Sequence, residues 1–144
     1  MRQDGFTLLE ILLSVVLIGV MAMFSVPVYQ RYQVRNDLHV AADTWVQTSR
    51  RAETLARSGS NDTTWGIEVH QGSITLFQGA DYASRDSDMD EVFSIPSSMT
   101  FSGDTEILFE KFTGAPSAAT STTLTSTTGQ TKTITINSKG MVDY

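Results

Sequence analysis

Residues Phe6 to Val28 read FTLLEILLSVVLIGVMAMFSVPV, and from Ile11 to Phe24 only Ser14 and Gly19 interrupt the apolar run. A helix needs roughly 20 residues to cross a bilayer, and this tract is long enough. A helix apolar on every side must be covered on every side. A buried core helix would satisfy that in a large protein, but the polar remainder of this chain is too small to wrap an apolar rod. A secretory signal peptide would fit the basic start at Arg2. It does not fit the end of the tract, which runs into Pro27, Tyr29, Gln30 and Arg31 with no Ala-x-Ala cleavage pattern. The pattern predicts a retained, membrane-spanning helix over 6–28.

The pattern then changes period without a break. Leu38, Ala41, Ala42, Trp45, Ser49, Ala52 and Ala56 recur at three- and four-residue spacing. Arg31, Arg35, Asp43, Gln47, Arg50, Arg51 and Arg57 fall on the other side. An amphipathic helix over 29–57 is expected, stopped by Ser58-Gly59-Ser60-Asn61. One helix over about 6–57 would be roughly 80 Å long. A small domain cannot cover that length, so partners are expected.

From about residue 63 onward the period is two. Trp65, Ile67 and Val69 alternate with polar residues, Gln71-Gly72 turns the chain, and Ile74 to Phe77 follows, which predicts a hairpin. Met99–Phe101 and Ile107–Phe112 are short strand candidates. Leu124 and Thr131–Asn137 flank Thr128-Gly129-Gln130 as a last hairpin, and Lys139-Gly140 turns toward Met141 and Val142. A long helix followed by strands over 63–144 gives an α+β fold.

Composition narrows the function classes. The 144 residues carry a net charge of −6, which argues against phosphate-backbone binding as the main role, since that needs clustered Lys and Arg. Cysteine is absent, which removes disulfides, thiol catalysis and Cys-ligated zinc. His39 and His70 have no ligand spacing, no nucleophile–base arrangement or phosphate-cradling glycine loop is apparent, and neither a cofactor nor an enzymatic activity is expected. Asp86, Asp88 and Asp90 have the spacing that opens an EF-hand loop, but Glu91 stands where the turn glycine belongs and Ser97 where the bidentate Glu belongs. They are a weak calcium candidate beside the plainer reading of a solvated acidic loop.

Glu10 is the residue the pattern does not explain. A carboxylate in an apolar span costs several kcal/mol unless it is paired, and such residues are functional candidates. No Lys or Arg lies within a turn of it. The segment Gly5-Phe6-Thr7-Leu8-Leu9-Glu10, a short basic leader and the long apolar run resemble the type IV pilin and pseudopilin superfamily. That resemblance implies a leader, residues 1–5, removed by a prepilin peptidase between Gly5 and Phe6, and N-methylation of Phe6. It also implies that Glu10 pairs with the Phe6 ammonium of a neighbouring subunit during assembly.

Gly19 and Pro27 match family positions that flank a stretch able to unwind in filaments. A kink near Met23–Pro27 is expected because Pro27 removes a helix hydrogen bond. The implied fold is the pilin fold, a long N-terminal helix packed on an antiparallel β-sheet head, with 29–144 outside the cytoplasm. The implied partners are other pilin or pseudopilin subunits and an inner-membrane assembly platform. The location is the inner membrane, single-pass, followed by a periplasmic or cell-surface filament. The cluster of arginines after the tract runs against the positive-inside rule, and the motif is given precedence. The helix–strand order, the missing disulfide loop and the ending Ile134–Gly140 are most similar to the GspH/FimT branch of minor pseudopilins and minor pilins. A major pilin shares the same N-terminal motif. The competing reading is a minor tip subunit that captures DNA or another ligand.

Overall fold

The structure, a computed structural model, describes residues 5–144, with only the backbone described over 24–28. Arg2 and most of the expected leader lie outside the described residues. One helix, α1 (Leu8–Ser58), is followed by β1 (Trp65–His70), β2 (Ser73–Gln78), β3 (Glu91–Ser94), β4 (Thr100–Gly103), β5 (Glu106–Phe109), β6 (Thr120–Thr125), β7 (Thr131–Ile136) and β8 (Val142–Asp143). The chain forms two compact units, one ending at Gln33 and the other running from Val34 to Tyr144.

Thr7 starts the helix. Its carbonyl accepts from the Glu10 and Ile11 amides at 3.1 and 3.2 Å, and its hydroxyl accepts from the Glu10 amide at 3.3 Å. This is one half of a capping box, with Thr7 at the cap and Glu10 three residues on. At the other end, the Ala56 carbonyl accepts from Gly59 at 3.1 Å and from Phe112 at 2.9 Å. Gly59 has φ 67, and a Cβ there would sit 2.6 Å from the Phe112 ring. Glycine is therefore needed for both conformation and space.

In the second unit α1 buries the face that its periodicity predicts. Leu38, Ala41, Ala42, Trp45, Ser49, Ala52 and Ala56 are buried, joined by Val46 and Thr48. The small alanines let the sheets approach closely, and Trp45 fills the middle. Opposite them lie two four-stranded antiparallel sheets, ordered β3-β2-β1-β5 and β4-β6-β7-β8. Ile67, Val69, Ile74, Leu76, Ile107 and Phe109 of the first sheet and Leu124, Ile134 and Ile136 of the second complete the core. Only Asp104 and Thr105 separate β4 from β5, so one continuous segment forms an edge of both sheets. The antiparallel β head on a long helix is as expected, and its strands divide between two sheets. A strand at Glu91–Ser94 was not expected there, and Ile107–Phe112 is shortened because Phe112 adopts φ 67, which no strand residue can hold.

The outer face of the first sheet is covered by the segment between β2 and β3. Tyr82 packs edge-on against Phe77 at 5.4 Å and tilts over His70 at 5.1 Å. Arg85 stacks on Tyr82 at 3.7 Å and pairs with Asp90 at 2.8 Å. The Tyr82 amide donates to Glu106 at 2.8 Å. Phe77 lies across Gly66, its cross-strand partner, where a Cβ would meet the Phe77 ring at 2.6 Å and the Ile107 carbonyl at 2.8 Å. Glu68 faces the same side, directly opposite Glu106. Desolvation raises its pKa above the ordinary carboxylate value, against the lowering effects of the Thr105 hydrogen bond and His70.

Two measurements follow from this packing. Gly66→Ala should lower stability by about 2 kcal/mol, because neither the ring nor the carbonyl can yield freely, and the melting temperature by roughly 10 °C. Glu68 has a folded pKa above its unfolded one, so its stabilising contribution is fully present below the unfolded value and is lost as pH rises through the folded one. Glu68→Gln should therefore raise the melting temperature at pH 7, and the gain should shrink toward about pH 4. A gain that is equal at both pH values would contradict the assignment.

Candidate processing and assembly site

Gly5, Phe6 and Thr7 precede the helix without regular structure and are exposed. Both residues of the Gly5–Phe6 bond are thus exposed. A Cβ on Gly5 would meet nothing within 4 Å, so no packing in this chain demands glycine there. The same holds for Gly19, where added bulk would meet nothing in the chain. Whatever selects glycine at these two positions lies in backbone conformation or in a partner.

The tract that follows is bare. Leu8, Leu9, Leu12, Leu17, Ile18 and Met23 are each more than half exposed, Leu8 reaching 82%. The exposed side chains fall on every face of the helix, the arrangement that requires an apolar environment all round. Among the described residues no helix is long and apolar enough to cross a membrane. The side chains of Phe24–Val28, which complete the apolar tract, are outside that description. The backbone of α1 is helical through Gly19 and Pro27.

Glu10 sits in the first turn of α1. Its amide is engaged by Thr7, and its carbonyl accepts from the Ser14 hydroxyl at 2.8 Å. Its carboxylate has no partner among the described residues. An acid in the first turn also favours the helix through the dipole and the unsatisfied amides there. This local role was legible in the Thr7-x-x-Glu10 spacing, and it competes with the assembly role.

The remaining candidates separate. Asp86, Asp88 and Asp90 do not converge on a cation. Asp86 accepts from the Asp88 amide at 3.2 Å, and Asp90 is held by Arg85. Among the described residues no group of three acidic or His side chains is placed to hold a metal. Ser84 hydrogen bonds hold the exposed Asp81 carboxyl below its usual range. Of the arginines on the helix, Arg51 pairs with Glu91 at 2.6 Å and Arg57 with Glu53 at 2.7 Å. Such surface pairs contribute about 0–1 kcal/mol. Arg31, Arg35 and Arg50 form no ion pair among the described residues.

Known proteins match both ends of this picture. Residues 1–26 match the prokaryotic N-terminal methylation motif. Over 88 residues the chain is 28% identical to the type IV major fimbrial protein FimA of Dichelobacter nodosus, a match covering 61% of this chain and 55% of that protein. The chain thus spans about half the length of this curated relative. The fold is similar to that of the minor pseudopilin EpsH from the type 2 secretion system of Vibrio cholerae, with a TM-score of 0.55, 8% identity, and coverage of 74% of this chain and 94% of that one. The methylation motif, the fimbrial relative and the long helix on antiparallel sheets together support assigning the chain to the type IV pilin and pseudopilin superfamily.

Proposed function

We propose that this structural subunit is made as a single-pass inner-membrane precursor with residues 29–144 outside the cytoplasm. A prepilin peptidase cuts it between Gly5 and Phe6, Phe6 is N-methylated, and an inner-membrane assembly platform draws it into a filament of like or related subunits. The observation that carries this reading is the apolar tract of Phe6–Met23, exposed on all faces, directly behind an exposed Gly5–Phe6 bond. Lipid covers such a tract before assembly and neighbouring subunits cover it afterwards. The β-rich head without a disulfide loop supports placing the chain with the GspH/FimT branch, as a minor subunit.

The chemistry of the cut supplies a partner for Glu10. Before cleavage the Phe6 nitrogen is a neutral amide; afterwards it is an amine, charged at neutral pH, and methylation keeps that charge. A Glu10 carboxylate buried among apolar helices then pairs with the Phe6 ammonium of a neighbour. Losing one member of such a buried pair costs about 3–5 kcal/mol. The pair sets the axial register of subunits, because apolar side chains alone slide.

Co-expression with a prepilin peptidase should yield a product whose intact mass corresponds to residues 6–144 plus one N-terminal methyl group. Replacing Gly5 by Leu should block the cut while leaving the melting temperature of the head unchanged. Glu10→Gln and Glu10→Ala should both be cleaved normally and both enter filaments on the order of a hundredfold less efficiently. Normal assembly of the Gln variant would show that Glu10 serves the helix start alone.

A further inference from the structure

Three basic side chains meet in the second unit without an acidic partner. Arg35 and His39 are one turn apart on α1, so they share a face. Lys132 of β7 brings its Nζ to 3.5 Å from Nδ1 of His39, and the Tyr144 ring lies 4.7 Å from the same ammonium. With Leu38 and the hairpin tip at Gly129–Thr131 they line an open groove of about 630 Å³. Four other cations, Arg51, Arg57, Arg85 and Lys111, each have a carboxylate partner. Arg35 and Lys132 have none among the described residues, as is also true of Arg31, Arg50 and Lys139, and Asp37, the acid closest to Arg35 in sequence, pairs with no cation there. In a chain with 16 acidic and 10 basic residues, a groove that gathers cations and has no carboxylate in its lining suits an oxyanion from outside. Lysine and arginine offer only donors, and such donors bond most strongly to carboxylate or phosphate oxygens.

The neighbouring sequence says which oxyanion. Arg35 follows Val28, the end of the apolar tract, by two helical turns. Tyr29 and Tyr32, in between, are both about 70% exposed, and tyrosines of this kind collect at membrane interfaces. A second copy of the chain is a poorer complement. In its acidic loop Asp81, Asp86 and Asp90 already accept from Ser84, Asp88 and Arg85.

We propose that this groove binds the phosphate headgroup of an anionic phospholipid in the leaflet from which the head emerges, holding the head on the bilayer until the subunit is drawn into the filament. The inference rests on the membrane-anchored reading above. It gives a function to cations that stand on the side of the tract from which the positive-inside rule would exclude them.

The chain has no cysteine, so Thr127→Cys, exposed on the hairpin beside the groove, gives a single dye site in the full-length protein. The labelled protein is reconstituted in vesicles containing a trace of acceptor-labelled lipid. Energy transfer to the bilayer should be higher in vesicles with phosphatidylglycerol than in pure phosphatidylcholine, and should fall with added salt. Combining Arg35→Gln with Lys132→Gln should reduce the docked-to-free ratio roughly thirtyfold, whereas Lys139→Gln, which removes a cation outside the groove, should leave it unchanged. Equal transfer in both lipids, or a phosphatidylglycerol effect that survives the double substitution, would overturn the proposal. So would transfer that rises only with subunit density, which would assign the groove to a second copy. Failure of the chain to float with phosphatidylcholine vesicles would sink the membrane reading itself; floating without a headgroup effect would sink this inference alone.

Discussion

The structure depends on covering a helix that its own chain leaves bare. Leu8 to Met23 present apolar side chains on all sides, at about 25 cal/mol for each Å² in contact with water. Those residues form no part of the core of the second unit. The cover must therefore come from lipid or from other helices. Under the proposed function, that requirement accounts for a membrane state before assembly and a polymer state after it.

The head answers a different problem with the same helix. Past Val34 the periodicity changes from apolar on all sides to apolar on one side, and alanines replace leucines at several of the packed positions. The small residues let two sheets close on α1, and Trp45 supplies the volume that the alanines give up. The outer face of the first sheet needs its own cover, which comes from Tyr82 stacked between His70, Phe77 and Arg85. Packing here extracts a cost at Glu68, whose carboxylate is desolvated opposite Glu106. One Glu68 oxygen is buried with no hydrogen-bond partner, an expensive arrangement.

Legibility in the sequence followed the range of each interaction. The buried face of α1 was legible residue by residue, because a period of three to four is written locally; only Val46 and Thr48 were missed. The two hairpins were legible from Gly72 and Gly129, whose positive φ values turn the chain. The division into two sheets was not, because β1 pairs with β5 and β4 with β6 across long separations in sequence, and nothing local encodes that choice. β3 was hidden by its acidic and Ser residues beside the Asp run, and Phe112 ended a strand early through a backbone conformation that its identity disfavours. At the proposed processing and assembly site, the motif marks Gly5, Phe6 and Glu10, and the Thr7-x-x-Glu10 spacing carries the capping role of Thr7. The meeting of His39 with Lys132 joins residues 93 apart, and no sequence pattern announces it.

The central claim is that Phe6–Val28 is never in contact with water once the chain is in the cell. It is tested most directly by cysteine accessibility in spheroplasts of an expressing bacterium, comparing Leu13→Cys in the tract with Val92→Cys on the head. Both side chains are more than 60% exposed in the isolated chain. The account predicts that a membrane-impermeant maleimide labels position 92 rapidly and leaves position 13 unlabelled, in the membrane pool and in assembled filaments alike, until the protein is denatured. Labelling of position 13 as fast as position 92 in either pool would contradict it.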